Sequence, residues 1–267
     1  MITRKPLFRW SIGDISTKES FFVLKESVKF LKKTYQNNFE YAICYNIKDN
    51  IKFKFLQEIS NKYEVKLIEQ NWKDAPIPDN IPNFNQKSFI DSSKQSGSLW
   101  KYCPNRISED SHEIFIDNDV VITKKIKQID FFLNNNLILL SQDNTRFFGR
   151  YDFLHQKKVA YNSGIIGIPP FYDLHKKIYK AWSDHKLYNL SFADEQGLVT
   201  FVLSNEKHFL IDTNEIGIFH YDYYFNGKNK INYSEVDLSK FKGFHFVGIN
   251  RRKKHEGWSY YNNLKLN

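Results

Sequence analysis

Helix and strand patterns that alternate through the first 70 residues restrict the possible folds more than any other feature of this chain. Residues 19–36 place Phe21, Leu24, Val28, Leu31 and Tyr35 at spacings of three and four, the period of an amphipathic helix. Tyr41–Ile47 then reads as a short buried strand, residues 51–63 as a second helix with Phe55, Leu56, Ile59 and Tyr63 apolar, and Val65–Ile68 as another strand. Strands separated by helices on short links are the βαβ signature, which predicts an α/β fold: a mostly parallel sheet flanked by helices.

Residues 70–97 break this rhythm with Pro76, Pro78, Pro82 and many Asn and Ser. They read as a loop or lid rather than an interdomain linker, because βαβ-like material resumes beyond them. In the less regular second half, Glu113–Ile122, Leu137–Ser141 and Tyr161–Pro169 read as strands, and residues 171–184 and 194–204 as helices. From Ile216 the tail is aromatic-rich and strand-like, ending in the basic cluster Arg251-Arg252-Lys253-Lys254-His255. The expectation is one domain over residues 1–267 with an elaborated, irregular C-terminal half.

Composition narrows the class. With 41% hydrophobic and 26% charged residues, the 267-residue chain has the material for a real core. No apolar run reaches the roughly 18 residues of a membrane-spanning helix, and MITRKPLFRWSIGD carries no signal-peptide core. Two cysteines, Cys44 and Cys103, are too few for a disulfide framework and lack metal-ligand spacing. Collagen, coiled coil, disulfide knot and integral membrane protein are excluded, and a soluble, cytoplasmic protein is expected. The net charge of +9 invites a phosphate-bearing partner, whether nucleic acid, anionic membrane or nucleotide; the rival explanation is a lysine-rich solubilising surface.

Four motifs carry chemistry. In EIFIDNDVVI, residues 113–122, Asp117-Asn118-Asp119 interrupts two apolar triplets. Carboxylates there are costly to bury unless paired or bound to a cation. In an extended chain Asp117 and Asp119 project to the same side, so a slight turn directs both at one Mn²⁺ or Mg²⁺. The alternative is a hairpin with Asn118-Asp119 as its turn. In Tyr161–Gly167, Gly164 within an apolar strand implies a close approach by ligand or backbone, with Asn162 and Ser163 as hydrogen-bonding groups; a strand-entry turn is the alternative. Asp194-Glu195-Gln196 opens a helix, where acids simply complement the dipole or serve sugar hydroxyls. His245, between Phe244 and Phe246, is either a packed histidine or a metal ligand beside a diphosphate site formed with Gly248 and the basic cluster.

In this order the motifs resemble the nucleotide-sugar glycosyltransferases of the GT-A fold, and most of all the retaining group containing glycogenin and the lipopolysaccharide glucosyl- and galactosyltransferases. The resemblance spans residues 98–258 and, more loosely, the N-terminal βαβ unit. It implies a nucleotide-binding half over residues 1–122, ending in Asp-Asn-Asp, and a donor-sugar and acceptor half over residues 123–267 with the basic tail. It implies that Asp117, Asp119 and His245 hold Mn²⁺ or Mg²⁺ on the donor diphosphate. Gly248 and Lys253 or Arg251 would touch the phosphates, with Lys101 of Leu99–Pro104 nearby. Asp143, Ser163, Gly164 and Gln196 would line the donor pocket, and Asn162 with Asp194 or Glu195 would meet the transferred sugar. The chain departs from the family in having Asp194-Glu195-Gln196 where Asp-Gln is usual, and Arg251-Arg252-Lys253 where Lys-Pro-Trp is common.

The resemblance therefore implies a metal-dependent transferase using a UDP-sugar donor and a glycan, glycolipid or protein acceptor, with retention of configuration and peripheral contact with an anionic inner membrane face. The alternatives are a metal-dependent nucleotidyltransferase, although Pro6–Ser16 lacks its glycine- and lysine-rich loop, an inactive transferase-like binder, and a basic nucleic-acid-binding module. The last ranks below the others, since no nucleic-acid-binding motif is present.

Overall fold

An interior strand of the sheet, Leu7–Gly13 (β1), is buried at every position. Arg9 and Ser11 interrupt its apolar run, so hydrophobic patterning alone passes over it. The computed structural model describes residues 4–14, 16–70, 106–156, 158–185, 192–220, 233–249 and 255–266. β1 pairs in parallel with Glu40–Asn46 (β2) on one side and Glu113–Asp117 (β4) on the other, and β2 with Lys66–Glu69 (β3). Beyond β4 come Tyr161–Ile168 (β7), Ile138–Gln142 (β6) and His208–Ile211 (β8), in the sheet order β3-β2-β1-β4-β7-β6-β8. β7 runs antiparallel to both neighbours, and β6 pairs with β8 in parallel. The expected mostly parallel sheet is therefore present, reversed locally at β7.

Lys18–Tyr35 (α1) and Asn50–Tyr63 (α2) make the N-terminal crossovers. Thr17 caps α1 by accepting the Ser20 amide, and Asp49 caps α2 by accepting those of Ile51 and Lys52, which satisfies otherwise orphaned donors. The apolar stripe predicted for α1 is the one it buries: Phe21, Leu24, Val28, Leu31 and Tyr35. It packs over β1, where the Trp10 indole donates to Ser27 Oγ at 2.9 Å.

The strand expected over Glu113–Ile122 is two strands. β4 ends at Asp117, Asn118 and Asp119 turn, and Val120–Ile122 (β5) enters a second sheet with Ile216–Ile218 (β9) and Gly243–His245 (β10). The turn reading is thus right about Asn118-Asp119, but no hairpin forms, because β4 and β5 belong to different sheets. The remaining helices are Lys127–Leu133 (α3), Leu174–His185 (α4), Phe192–Ser204 (α5) and Glu256–Leu266 (α6). α4 begins later than expected because a turn at Pro169–Tyr172, with Phe171 at φ 59°, precedes it.

The tail departs furthest from its strand-like reading, for it ends in α6. His255 belongs to no basic surface: it is buried, its Nδ1 accepts the Trp258 amide, and its Nε2 lies 3.1 Å from the Phe219 carbonyl. Aromatic residues of this tail, Phe219, Phe244, Phe246, Trp258 and Tyr261, pack with Val121 into a core of their own. No helix among the described residues is long and apolar enough to cross a membrane.

A buried ion cluster joins the entry to β4 to the sheet. Arg9 donates to Glu113 Oε2 at 3.2 Å and lies 4.6 Å over the Phe115 ring. Arg106 pairs with Oε1 at 3.3 Å while donating to the carbonyls of Ser108, Ser111, Pro169 and Tyr172. Removing one partner of such a cluster strands buried charge, so Glu113→Ala is expected to cost about 3–5 kcal/mol in urea unfolding. A loss under about 1 kcal/mol, the level of an exposed pair, would refute it. His255 supplies a second expectation. Burial holds its pKa below the ordinary histidine value, so below about pH 6.5 the unfolded chain binds the proton more readily. Stability is thus fully present above that pH and declines on acidification, and His255→Asn, a cap that cannot titrate, should flatten the slope between pH 7.5 and 5.5.

Candidate active site at the ends of β4 and β10

The turn at Asp117–Asp119 lies at the carboxyl end of β4, the edge of a parallel sheet where ligands collect. Its partner arrives through the second sheet. β5 pairs antiparallel with β10 so that Val120 stands opposite His245, and the Phe246 amide donates to the Asp119 carbonyl at 2.9 Å. His245 Nε2 is thereby placed 3.2 Å from Asp119 Oδ1 and 3.9 Å from Asp117 Oδ2. One ligating atom from each residue lies within 4.8 Å of the other two, and Asp119 and His245 are buried. Two carboxylate oxygens and an imidazole nitrogen suit a divalent ion such as Mn²⁺ or Mg²⁺. Burial alone would lower the pKa of His245, but the Asp119 and Asp117 carboxylates outweigh it and hold it above the ordinary value. A cation bound among these groups would supply positive charge beside the two carboxylates.

Gly164 makes room for the histidine. A Cβ there would lie 2.5 Å from His245 Cε1 and 2.8 Å from its Nδ1, closer than real Cβ contacts come. The close approach expected at Gly164 is thus made by a side chain, the imidazole of the candidate metal ligand. An irregularity in β7 puts the glycine there. Leu140 pairs with Ile166 but Ser141 with Asn162, so Ser163–Ile165 bulge from the ladder. The Ser141 hydroxyl fills the gap, donating towards the carbonyls of Asn162 at 3.0 Å and Ile165 at 3.3 Å and accepting the Ile165 amide at 3.2 Å.

Around the bulge the polar groups interlock. Asn162 Nδ2 donates to Asp143 Oδ2 at 2.6 Å, and its Oδ1 accepts the Gly164 amide at 2.6 Å. Asp143 is buried, and burial pushes its carboxyl up. Hydrogen bonds from His220, Asn162 and the Thr145 amide outweigh that, leaving its pKa below the usual carboxylate value. On the other side stands the start of α5. Ser163 Oγ donates to Glu195 Oε1 at 3.3 Å, and the Ser163 amide to Gln196 Oε1 at 3.3 Å. Gln196 Nε2 in turn donates to the Phe147 carbonyl, and Gly197 packs against the Phe148 carbonyl. Asp194, fully buried, accepts the Arg150 amide at 2.7 Å and pairs with its guanidinium at 3.9 Å.

The structure thus brings Asp117, Asp119, His245, Asn162, Ser163 and Gly164 together, with Glu195 and Gln196 on Ser163 and Asp143 behind Asn162. Asp194 is turned towards Arg150 instead. Gly248 stands in the turn after β10 at φ 87°, a left-handed conformation natural to glycine. Lys101 with the Leu99–Pro104 segment, Arg251, Lys253 and most of the loop at 70–97 lie outside the described residues. Sequence reasoning missed Ser141 and His220. A signal for His220 was present: Phe-His occurs at 219–220 and again at 244–245, at the ends of the adjacent strands β9 and β10.

No protein-family model and no curated protein matches the chain. Solved structures do. An active-site mutant of LgtC superposes with a TM-score of 0.60 at 13% identity, covering 98% of this chain and 94% of that one. Mouse xyloside xylosyltransferase 1 gives 0.58 at 11% identity, with 93% and 99% covered. The glycosyltransferase GlyE of Streptococcus pneumoniae TIGR4 gives 0.59 at 10% identity, covering 98% of this chain and 60% of GlyE. The fold is accordingly the GT-A fold of these glycosyltransferases.

Gly164→Ala should displace His245 and weaken Mn²⁺ binding by about tenfold or more, the usual scale for disturbing a ligand's support. Titration calorimetry checks this, and unaltered affinity in a folded variant would show that His245 is no ligand.

Proposed function

We propose that the protein is a metal-dependent glycosyltransferase that moves a sugar from a nucleotide-sugar donor, a UDP-sugar foremost, to a glycan, glycolipid or protein acceptor with retention of configuration. The observation that carries this reading is the convergence of Asp117, Asp119 and His245 at the carboxyl end of β4 in a sheet with this fold. It is supported by the similarity to LgtC, a galactosyltransferase solved in complex with donor and acceptor sugar analogs, at a TM-score of 0.57 and 11% identity.

Mn²⁺ or Mg²⁺ held by the three residues would neutralise the charge gathering on a leaving diphosphate. The chain's own groups do the rest. Ser163 and Gly164, in the bulge beside His245, would stand next to a donor sugar attached to that diphosphate. Glu195 is half-buried and oriented by Ser163 Oγ. A carboxylate placed there stabilises positive charge developing at the anomeric carbon. Asp194, already engaged by Arg150, is left an anchoring part in the first turn of α5, which favours Glu195 as the acid that meets the sugar. Arg251, Lys253 and Lys101 are proposed as the phosphate-side cations, and Gly248 as their neighbour. Contact with an anionic membrane face accompanies a glycolipid acceptor and predicts binding to anionic vesicles.

A nucleic-acid-binding module finds less support, because the tail aromatics that would stack on bases form a buried core. A nucleotidyltransferase is separated by its product, pyrophosphate rather than UDP.

The test is a thermal-shift panel of UDP, GDP, CMP and ADP with and without Mn²⁺, followed by UDP release from UDP-sugars. A ligand at about 100 times its dissociation constant adds roughly 2.7 kcal/mol of stability, several degrees for a domain of this size. UDP is expected to stabilise the wild type only with Mn²⁺, and Asp119→Ala should lose that response while remaining folded. A full response in Asp119→Ala, or none to any nucleotide in the wild type, would overturn the proposal.

A further inference from the structure

We propose that His220 is a positioning residue of this site, acting through Asp143, and that Asp143 serves to hold Asn162 rather than to take a sugar hydroxyl itself. The inference rests on the glycosyltransferase reading for its kinetic consequence, but its geometry stands apart from that reading.

His220 follows β9, the strand that pairs with β10. Its Nε2 lies 3.1 Å from Asp143 Oδ1, with both side chains buried, at 5% and 2% exposure. A carboxylate accepts only, so Nε2 carries the hydrogen. The same oxygen takes the Thr145 amide at 3.2 Å, and the other oxygen takes Asn162 Nδ2 at 2.6 Å. With three protein donors on it and almost no exposed surface, the carboxylate has little accepting capacity left for a substrate.

What this arrangement determines is the direction of the Asn162 amide. Its NH₂ group must face Asp143, and its oxygen must therefore face the Gly164 amide, which it accepts at 2.6 Å. The flipped amide would set NH₂ against an N–H on one side and oxygen against a carboxylate on the other. Gly164 is in turn the residue over which His245 lies. His220, Asp143, Asn162 and Gly164 thus form one buried series that connects the end of β9 with the candidate metal ligand at the end of β10. Taking away the His220 donor leaves Asp143 Oδ1 with the Thr145 amide alone, in a place where water does not readily substitute. Asn162 then loses its fixed anchor, and with it the bulge that presents Ser163 and Gly164. A single residue already in loop geometry at the sheet end would in this way govern the sugar pocket without touching the sugar.

The test compares His220→Leu, which removes the donor, with His220→Gln, whose amide NH₂ reaches towards the same place. Two readouts are taken on each folded protein. The first is kcat and KM for UDP release from UDP-galactose and UDP-glucose with Mn²⁺. The second is hydrogen exchange of the Asn162 side-chain amide by NMR, assigned through its disappearance in Asn162→Asp. In His220→Leu, kcat is expected to fall by about tenfold or more, as for a small displacement of reacting groups, with KM nearly unchanged. The Asn162 amide should exchange faster, and His220→Gln should restore both quantities in part. A purely structural histidine would lower the melting temperature and leave kcat of the folded protein alone, so a kcat within about twofold of wild type overturns the proposal. If the wild type releases UDP from neither donor, the glycosyltransferase reading loses its support while amide exchange still decides the brace: unchanged exchange in His220→Leu overturns it. Should His220→Leu not fold, Asp143→Asn gives the same pair of readouts, because it sets one NH₂ against another at Asn162.

Discussion

Two carboxylates held close together at the end of a buried strand are unstable company unless positive charge joins them. Asp117 and Asp119 create that demand, and much of the C-terminal half is arranged to meet it. β5 leaves the main sheet immediately after Asp119 and recruits β10, whose last residue, His245, enters between the acids. The aromatic core under the second sheet, built on Phe219, Phe244, Phe246 and Trp258, fixes the depth to which β10 can be carried. His255 then locks the following helix to the carbonyls of Phe219 and Val247. The electrostatic requirement thus sits at one point, and its mechanical support is distributed over strands far apart in sequence.

The imidazole can be seated only because β7 has given way. A regular ladder opposite Ser141 would leave no reason for Ser163 and Gly164 to project, and any side chain at residue 164 would occupy the space of the ring. The bulge also ties the metal side of the site to α5, since Ser163 holds Glu195 and Gln196 at once. The imidazole of His245 and the carboxylate of Glu195 are therefore positioned by adjacent residues of one strand, Gly164 and Ser163. That coupling accounts for why a single irregularity of the sheet serves both.

Much of the fold was legible where periodicity was clean. α1 and α2 fall near their expected places because a buried face repeats at a helical period, and β2, β6 and β7 because each is a short run buried on both faces. β1 was hidden because an interior strand carries Arg9, whose charge is acceptable only beside Glu113, a residue more than a hundred positions away in the chain. α6 was hidden because its start is set by a buried histidine cap within a run of cations that reads as surface. Of the site, Asp117, Asp119 and His245 were legible from chemistry and order. The separate parts of Asp194 and Glu195 were not, because both suit the first turn of a helix, and only the neighbour each meets distinguishes them.

By itself, then, the sequence determined an α/β chain with a parallel start, a paired-carboxylate turn at the end of a buried strand, and a histidine and a glycine able to serve it. Those are local properties, set by side-chain period, backbone freedom and the cost of burying charge. The tertiary structure decided which of these residues meet. The register of β5 on β10 selected His245 as the third group, the bulge opposite Ser141 aimed Gly164 at its ring, and packing of α5 turned Asp194 to Arg150 and Glu195 to Ser163. His220 joined the site on the same basis, since contacts between distant strands depend on register and burial, which no local stretch of sequence contains.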